Sequence, residues 1–178
     1  MNKALFLDRD GIINVDHGYV YKKEEFVFID DIFDVCLDAQ AKGYEIFVIT
    51  NQSGIARGKY TVKQFDELSS WMTSVFKSKG IVISDVYHCP HHPDKGLGEY
   101  LKACECRKPE PGMLLLAKKE HNINLENSIF IGDKVSDIQA AERAGIKNRI
   151  ILIDKYEDDQ AIKAIRIDNI KQASLYII

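Results

Sequence analysis

The feature that most constrains the fold is an alternation of short apolar runs with amphipathic helical segments. The runs are rich in β-branched and aromatic residues and lie at residues 4–7, 44–50, 81–87, 128–132 and 149–153. Because most of them lack polar alternation, they are typical of strands that are covered on both faces. Helical patterns lie between or beside them, at residues 30–42, 61–79, 111–121 and 135–144. Strands that alternate with helices predict a doubly wound parallel α/β sheet.

Local signals mark where several helices begin and end. Thr61 and Gln64 have the spacing of a capping box, and Gly80 lies where a C-terminal glycine is favoured. Pro111 is typical of a first helical turn, and Gly145 follows the last of these helices. Residues 156–178 are predicted to hold a helix and an edge strand.

The composition is that of a folded domain. The 178 residues are 46% hydrophobic and carry a formal net charge of −3. This excludes a disordered chain and argues against binding to nucleic acid or an anionic membrane. No segment approaches the ~20 apolar residues of a membrane span, and the N-terminal apolar run is too short for a signal peptide. We expect one cytoplasmic domain over residues 1–178, and a monomer because no long apolar helix face stands out.

Two long insertions interrupt the alternation. Residues 11–28 follow the first strand, and residues 89–108 form a polar loop with three of the four cysteines. Long loops without secondary structure are usually functional or held by additional bonds.

Acidic and polar residues follow three predicted strands, at the carboxyl ends where ligands bind in such sheets. They are Asp8 and Asp10, then residues 50–54 (TNQSG), then Asp133 and Asp137. Converging carboxylates repel each other unless a cation lies among them, and hard oxygen ligands favour Mg²⁺. Hydroxyls, the glycine-bearing turn and the nearby Arg107 and Lys108 would bind a phosphoryl group. The pattern predicts metal-assisted phosphoryl chemistry.

Each of these acids also has an ordinary structural interpretation. An aspartate after a strand commonly caps a helix or closes a turn. Such caps at three strand ends at once would be a coincidence. Asp137 lies one helical turn past Asp133, so it is either a second acid of the site or a charge at a helix N-terminus.

The loop at about residues 88–108 contains the donor set of a zinc site. Cys89, His91, Cys104 and Cys106 supply three thiolates and one imidazole, although their one-residue spacers are shorter than those of a zinc finger. A metal would hold a loop that has few apolar residues to pack. Free thiols or a disulfide are the alternative, and His92 and His88 are competing ligands. Cys36 lies on an apolar helical stripe and is expected in the core.

Four segments resemble the motifs of the haloacid dehalogenase superfamily of phosphatases. They are residues 6–11 (FLDRDG), residues 48–51 (VITN), Lys108, and Gly132-Asp133-x-x-x-Asp137. The histidinol-phosphatase-like branch is similar at residues 14–19 (NVDHGY), 50–58 (TNQSGIARG), 89–93 (CPHHP) and 104–109 (CECRKP). The resemblance covers residues 4 to about 154. Ile12 departs from the first motif, where threonine is common, so a hydroxyl hydrogen bond is lost there.

The resemblance implies a fold and a set of roles. The fold is a Rossmann-like core without a separate cap domain. Asp8 is the expected nucleophile and Asp10 the general acid and base, while Asp8, Asp133 and the backbone carbonyl of Asp10 hold Mg²⁺. Thr50 and Lys108 bind the transferring phosphoryl oxygens. The expected substrate contacts are Asp16, His17, Gly18, Tyr19, Asn51, Gln52, Ser53, Arg107 and Lys134.

We therefore expect an Mg²⁺-dependent phosphatase of a small sugar bisphosphate that works through an aspartyl phosphate. Histidinol phosphate is the alternative substrate. Its amine is cationic, so the positive side chains near the predicted site favour a substrate with a second phosphate instead. These side chains are Arg57, Arg107, Lys108 and Lys134. A phosphate-accepting signalling receiver would carry its acceptor after a later strand and would need no zinc loop. A zinc-stabilised interaction domain would leave Asp8, Asp10 and Asp133 unexplained.

Overall fold

The computed structural model describes residues 1–153 and 161–178. Within these ranges the chain forms a six-stranded sheet. The strands are β1 (Lys3–Leu7), β2 (Tyr44–Asn51), β3 (Ile83–Cys89), β4 (Ile129–Gly132), β5 (Asn148–Leu152) and β6 (Ile165–Ile167). Their order is β3-β2-β1-β4-β5-β6, and each neighbouring pair is parallel.

Helices cover both faces of this sheet. The α-helices are α1 (Ile32–Ala41), α2 (Ser53–Ala56), α3 (Val62–Ser78), α4 (Gly112–His121) and α5 (Val135–Ala144). Short 3-10 helices lie at Lys23–Glu25, Gly98–Tyr100, Leu125–Asn127 and Ile170–Leu175. The predicted doubly wound α/β fold is confirmed. Among the residues described, the two insertions are loops with one short 3-10 helix each, and no helix has the length and hydropathy to cross a membrane.

The burial of β1 on both faces fixes the position of its carboxyl end. Leu5 and Leu7 belong to the core cluster that includes α1 and α3, whereas Ala4 and Phe6 belong to the one that includes α4 and α5. All four side chains are fully buried. Because successive side chains of a strand face opposite sides, a strand covered twice has no polar alternation.

The predicted helix signals act as expected. The Thr61 hydroxyl accepts from the backbone N–H of Gln64 at 3.2 Å, and the Gln64 side chain accepts from the backbone N–H of Thr61 at 2.9 Å. Helix α5 ends at Gly145, whose φ of +91° lies in the left-handed region that glycine favours.

Two predicted elements differ from the structure. The third strand begins at Ile83 rather than Ile81, because the N–H of Ile81 still bonds to the carbonyl of Phe76 at the end of α3. It continues to Cys89, which pairs with Asn51. In the tail, the edge strand is present as β6, but the predicted helix is the 3-10 helix Ile170–Leu175, and residues 156–160 lie outside the described residues.

Candidate active site

The carboxyl ends of three central strands bring the predicted catalytic residues together. Asp8 follows β1, and its N–H donates to the carbonyl of Ile131 at 3.0 Å, which extends the pairing of β1 with β4. Thr50 lies near the end of β2, and Asp133 directly follows β4. All three polar side chains are buried. A predicted nucleophile, a predicted phosphoryl ligand and a predicted metal ligand therefore lie at one edge of the sheet.

Lys108 reaches this edge from the loop after β3. Its Nζ lies 2.9 Å from Asp8 Oδ1 and 2.7 Å from Asp137 Oδ1. It also donates to the carbonyl of Ile49 at 2.8 Å. Burial would lower the pKa of Lys108, but the charges of Asp137 and Asp8 raise it above its ordinary value. The ammonium group is therefore a protonated cation beside Asp8.

Asn51 holds the backbone that carries this cation. Its Oδ1 accepts from the N–H of Lys108 at 3.0 Å, and its Nδ2 donates to the carbonyl of Lys108 at 3.1 Å. Both polar atoms of the Asn51 amide are thus engaged with protein. Its contact with substrate stays a prediction. Its two hydrogen bonds hold the backbone of Lys108 in place.

The carboxylate of Asp10 is held by four hydrogen bonds. Arg9 Nη2 donates to both of its oxygens, at 2.9 Å and 3.0 Å. Asn14 donates to Oδ1 at 3.0 Å and Gln52 to Oδ2 at 3.1 Å. Burial would raise the pKa of Asp10, but the charge of Arg9 and these hydrogen bonds bring it below its ordinary value. Asp10 is therefore an oriented carboxylate.

The carboxylates of Asp8, Asp133 and Asp137 each place an oxygen within 4.8 Å of the others. Burial and repulsion from Asp137 raise the pKa of Asp8 to about 6. Burial and repulsion from Asp8 raise the pKa of Asp133 to about 9. A cluster of buried acids that resist ionisation is typical of a site built for a cation.

The hydrogen bonds separate a ligand from a positioning residue in this cluster. Asp137 uses Oδ1 on Lys108 and Oδ2 on the backbone N–H groups of Asp133 and Lys134. Oδ1 of Asp133, by contrast, is buried and has no hydrogen-bond partner within the described part of the chain. Hard oxygen donors with an unpaired lone pair fit Mg²⁺, with Asp8 and Asp133 as the side chains that would hold it.

Two glycines allow these acids to approach the backbone. Gly11 has a φ of +94°, and a Cβ there would collide with the carboxylate of Asp133. A Cβ on Gly132 would overlap the side chain of Asp137. Glycine is therefore required at both positions by close approach, and at Gly11 also by its backbone conformation.

The predicted zinc ligands converge where β3 ends at Cys89 and in the loop that follows. The Sγ atom of Cys106 lies 2.8 Å from that of Cys89 and 3.3 Å from that of Cys104, and 3.5 Å from Nδ1 of His91. The cysteines form no disulfide. Four soft donors that all lie within 4.8 Å of one another fit a tetrahedral Zn²⁺ site.

The competing histidines have other roles. Nδ1 of His92 accepts from the backbone N–H groups of Asp94 and Lys95, at 3.1 Å and 3.0 Å. The ring of His88 packs on Phe65, with 4.3 Å between ring centroids. Neither joins the thiol cluster. Cys36 is fully buried in the core, as expected.

The first insertion lies beside the turn after β4, which carries Asp133 and Lys134. Asp16 is 3.6 Å from Lys134 Nζ and accepts from the N–H of Gly18 at 2.9 Å. Tyr19 is half exposed, and the cationic ends of Arg57 and Lys59 lie 5.9 Å and 5.8 Å from its ring centroid. The insertion therefore supplies a polar rim that faces several cations.

The remaining predicted substrate contacts are His17, Ser53 and Arg107. His17 is exposed, and Ser53 begins the short helix α2. Arg107 donates to the carbonyl of His91 at 3.4 Å, within the loop that follows β3. Their roles toward substrate stay predictions.

Comparison with known proteins identifies the family. The chain is 42% identical over 178 residues to the D-glycero-beta-D-manno-heptose-1,7-bisphosphate 7-phosphatase of Vibrio cholerae serotype O1, an alignment that covers 98% of this chain and 96% of that protein. This chain belongs to the heptose-bisphosphate phosphatase family. The D-glycero-alpha-D-manno-heptose-1,7-bisphosphate 7-phosphatase of Burkholderia mallei is 48% identical over 154 residues, 86% of this chain and 82% of that protein.

Members of the heptose-bisphosphate phosphatase family share this fold with other haloacid dehalogenase-like enzymes. The family model described as "HAD-hyrolase-like" matches residues 105–173. The D,D-heptose 1,7-bisphosphate phosphatase of B. bronchiseptica, solved with magnesium and phosphate, superposes with a TM-score of 0.82 at 24% identity and covers 98% of this chain and 97% of that one. The receiver and the interaction-domain interpretations are therefore wrong.

The heptose-bisphosphate phosphatase site also contains residues that the sequence pattern did not single out. Arg9 looked like a charge inside the first motif, yet it is 1% exposed and pairs with Asp10. Asn14 donates to the same carboxylate. Tyr60 follows the TNQSGIARG segment and donates to Gln52. A signal for Arg9 was present in the sequence, because it lies between the motif acids Asp8 and Asp10 and could pair with either of them.

Proposed function

We propose that this protein hydrolyses the 7-phosphate of D-glycero-D-manno-heptose 1,7-bisphosphate, in the synthesis of nucleotide-linked heptose for surface polysaccharide. The names of its relatives support the substrate. The observation that carries the chemistry is the buried Lys108, whose ammonium group lies 2.9 Å from Asp8 Oδ1. A cation at that distance orients a carboxylate nucleophile and accepts the charge of a transferring phosphoryl group.

Asp8, Asp133 and the backbone carbonyl of Asp10 are the Mg²⁺ ligands of this proposal. The unpaired Oδ1 of Asp133 and the raised pKa of both acids support that assignment. Bound Mg²⁺ supplies positive charge that offsets the repulsion between a carboxylate and a phosphate dianion.

The first half of the reaction transfers the phosphoryl group to the protein. A carboxylate oxygen of Asp8 attacks phosphorus, and the bond from phosphorus to the sugar oxygen breaks. Asp10 delivers a proton to that oxygen, so heptose 1-phosphate leaves with a free hydroxyl. Lys108 and Thr50 hold the phosphoryl oxygens during the transfer.

The second half releases phosphate. Asp10 takes a proton from a water whose oxygen attacks phosphorus, and the bond from phosphorus to Asp8 breaks. The low pKa of Asp10 makes it a carboxylate in the free protein, ready for this step. The proton for the first half enters with the substrate, because a phosphate ester has a second pKa of about 6 and is partly protonated near neutral pH.

The polar rim binds the rest of the substrate. Asp16, His17, Gly18 and Tyr19 contact the sugar from the first insertion, together with Ser53 and Lys134. Arg107 lies on the opposite side, on the zinc loop, where its charge attracts the second phosphate.

The thiol cluster holds Zn²⁺ in this proposal, with Cys89, His91, Cys104 and Cys106 as its four ligands. The Cys–Cys and Cys–His distances of 2.8–3.7 Å support a shared ion. Its role is structural, since Cys106 is two residues from Lys108 and the ion would fix where that lysine enters the site. The protein acts as a cytoplasmic monomer of one domain.

Release of inorganic phosphate tests this function. We expect the protein to hydrolyse at least one anomer of heptose 1,7-bisphosphate at least tenfold faster than histidinol phosphate. Asp8→Asn abolishes turnover, whereas Asp38→Asn, in a surface ion pair with Lys42, leaves it unchanged. Equal, slow rates on both anomers and on histidinol phosphate would overturn the substrate, and activity in Asp8→Asn would overturn the nucleophile.

A further inference from the structure

A hydrogen-bonded chain leads from a buried phenol to the site. Tyr60 is 5% exposed, and its hydroxyl donates to Oε1 of Gln52. Burial raises the pKa of Tyr60 above its ordinary value, so the phenol stays protonated and remains a donor. Its ring stacks on that of Tyr21, with 5.3 Å between centroids and 10° between planes. A Cβ on Gly54 would collide with the Tyr60 ring, so the ring is held from this side too.

The amide of Gln52 joins this phenol to two predicted catalytic groups. Its Nε2 donates to Oγ1 of Thr50 at 2.7 Å and to Oδ2 of Asp10 at 3.1 Å. Gln52 is 2% exposed, so contacts with protein groups rather than with water set the orientation of its amide. A flipped amide would set its carbonyl oxygen against the carboxylate of Asp10 and leave Tyr60 facing an NH₂ group. Because a carboxylate only accepts, Asp10 selects the NH₂ end of the amide, and the donating phenol of Tyr60 holds the other end at Oε1.

We propose that Tyr60 is a positioning residue for the general acid, which acts through Gln52 to aim Asp10 at the leaving oxygen. The proposal rests on the function given above, because it assigns Tyr60 a part in the proton transfer by Asp10. It extends that function to a residue that touches neither phosphate nor metal.

The proposal has a consequence that a merely structural role lacks. A sugar oxygen leaves only when it is protonated, whereas p-nitrophenolate is a stable anion that leaves without a proton. Loss of the phenol should therefore slow transfer of the phosphoryl group from an alkyl phosphate to Asp8 and spare the transfer from an aryl phosphate. The second half, in which Asp10 acts as a base, is the same for both substrates and is kept out of the comparison by measuring a single turnover. General distortion of the site would slow both.

The decisive variant is Tyr60→Phe, measured on heptose 1,7-bisphosphate and on p-nitrophenyl phosphate. We expect the rate of leaving-group release in a single turnover to fall about 10-fold on the bisphosphate, a part of the ~10²–10⁴ that general acid catalysis supplies, and less than about 2-fold on the aryl ester. Equal losses on both substrates, or no loss on either, would overturn the proposal. Tyr87→Phe is the matched control, since its buried phenol donates to Glu120 away from the site; we expect no change on either substrate.

A double-mutant cycle tests the route through Gln52. Gln52→Met removes both ends of the amide at similar volume, and we expect at least the same loss on the bisphosphate. Adding Tyr60→Phe should then cause no further loss, because the two side chains act in series. Additive losses would place Tyr60 on another route and overturn the proposal.

A readout that needs no turnover separates this proposal from the function on which it rests. In the NMR spectrum of the wild-type protein, the side-chain NH₂ of Gln52 should exchange slowly with solvent and show a shifted resonance. In Tyr60→Phe it should exchange at least 10-fold faster. Slow exchange in both proteins would overturn the positioning role. Absence of bisphosphate hydrolysis in the wild type would instead overturn the proposed function and leave this measurement to decide on Tyr60.

Discussion

Lys108 and Asp137 form a buried ion pair, with 2.7 Å between Nζ and Oδ1. Asp137 lies in the first turn of α5, and one of its oxygens is occupied by Lys108, so we expect it to position that lysine. Its other oxygen accepts from the backbone N–H groups of Asp133 and Lys134. One carboxylate thus ties the cation of the site to the turn that carries a proposed metal ligand.

Asp137→Asn should therefore lower activity and stability together. We expect kcat to fall about 10-fold or more, because Lys108 loses a partner that aims it, and the free energy of unfolding to fall by ~1–3 kcal/mol. Phosphate release and thermal unfolding measure the two effects. Glu110→Gln is the control, since its pair with Arg143 is about half exposed and is worth ~0–1 kcal/mol; an equal effect of both variants would contradict this role.

The raised pKa of Asp133 predicts a stability that depends on pH and on Mg²⁺. Because the folded-state pKa of about 9 exceeds the ordinary 3.8, the folded protein binds this proton more tightly than the unfolded chain. In Mg²⁺-free buffer its contribution to stability should therefore be complete below pH ~4 and be lost as pH rises toward ~9. Asp133→Asn should remove this loss.

The measurement is thermal unfolding of both proteins from pH 5 to pH 8.5. We expect the variant to gain on the wild type as pH rises without Mg²⁺. Saturating Mg²⁺ should raise the wild-type Tm most at high pH, where the ligand is most readily ionised, and should leave the variant unchanged. A Tm difference that does not vary with pH would contradict the assignment.

Gly11→Ala should block the metal site. The new Cβ would collide with the carboxylate of Asp133, so we expect the Mg²⁺-dependent rise in Tm to disappear and phosphate release to fall at least ~100-fold. Gly43→Ala is matched in backbone strain, with φ of +81° against +94°, but none of the described residues places an atom within 4 Å of its Cβ. Both variants should lose ~1–2 kcal/mol of stability from that strain, and Gly43→Ala should keep its response to Mg²⁺.

Cys104→Ser should release the zinc and disturb Lys108. Purified wild-type protein should contain about one zinc per chain by elemental analysis, and the variant none, because three donors no longer close a tetrahedral site. Thermal stability and phosphate release should both fall. Cys36→Ala, in the core, should cost stability but keep the zinc. Wild-type protein with no zinc and with Cys89, Cys104 and Cys106 all reactive toward a thiol reagent would contradict the site.

The residues at the strand ends were predictable because each lies next to a strong local signal. Asp8 and Asp133 directly follow buried strands, and the topology of a parallel sheet then brings those ends to one edge. The cluster of Cys89, His91, Cys104 and Cys106 was predictable for a similar reason, because thiols and imidazoles in one loop are typical metal donors; zinc itself stays a prediction. The third strand was predicted to begin two residues too early, at Ile81. The hydrogen bond from the N–H of Ile81 to the carbonyl of Phe76, at the end of α3, leaves no trace in the pattern of apolar residues.

The direction of each polar side chain was beyond such reasoning. Asn51 and Gln52 follow each other in the chain, yet one brackets the backbone of Lys108 and the other joins Thr50 to Asp10. His92 is chemically as good a zinc ligand as His91, but two backbone N–H groups already occupy its ring nitrogen.

The sequence by itself determined the elements of the fold, the edge where the acids collect and the donor types of the two proposed metal sites. These depend on residue type and on neighbours a few positions away. The tertiary structure decided which carboxylate oxygen has no partner among the described residues, which acid pairs with Lys108 and which phenol donates to Gln52. Those outcomes depend on directional contacts over long separations, such as the 100 residues between Lys108 and Asp8, and a hydrogen bond forms only where folding brings both partners within about 3 Å.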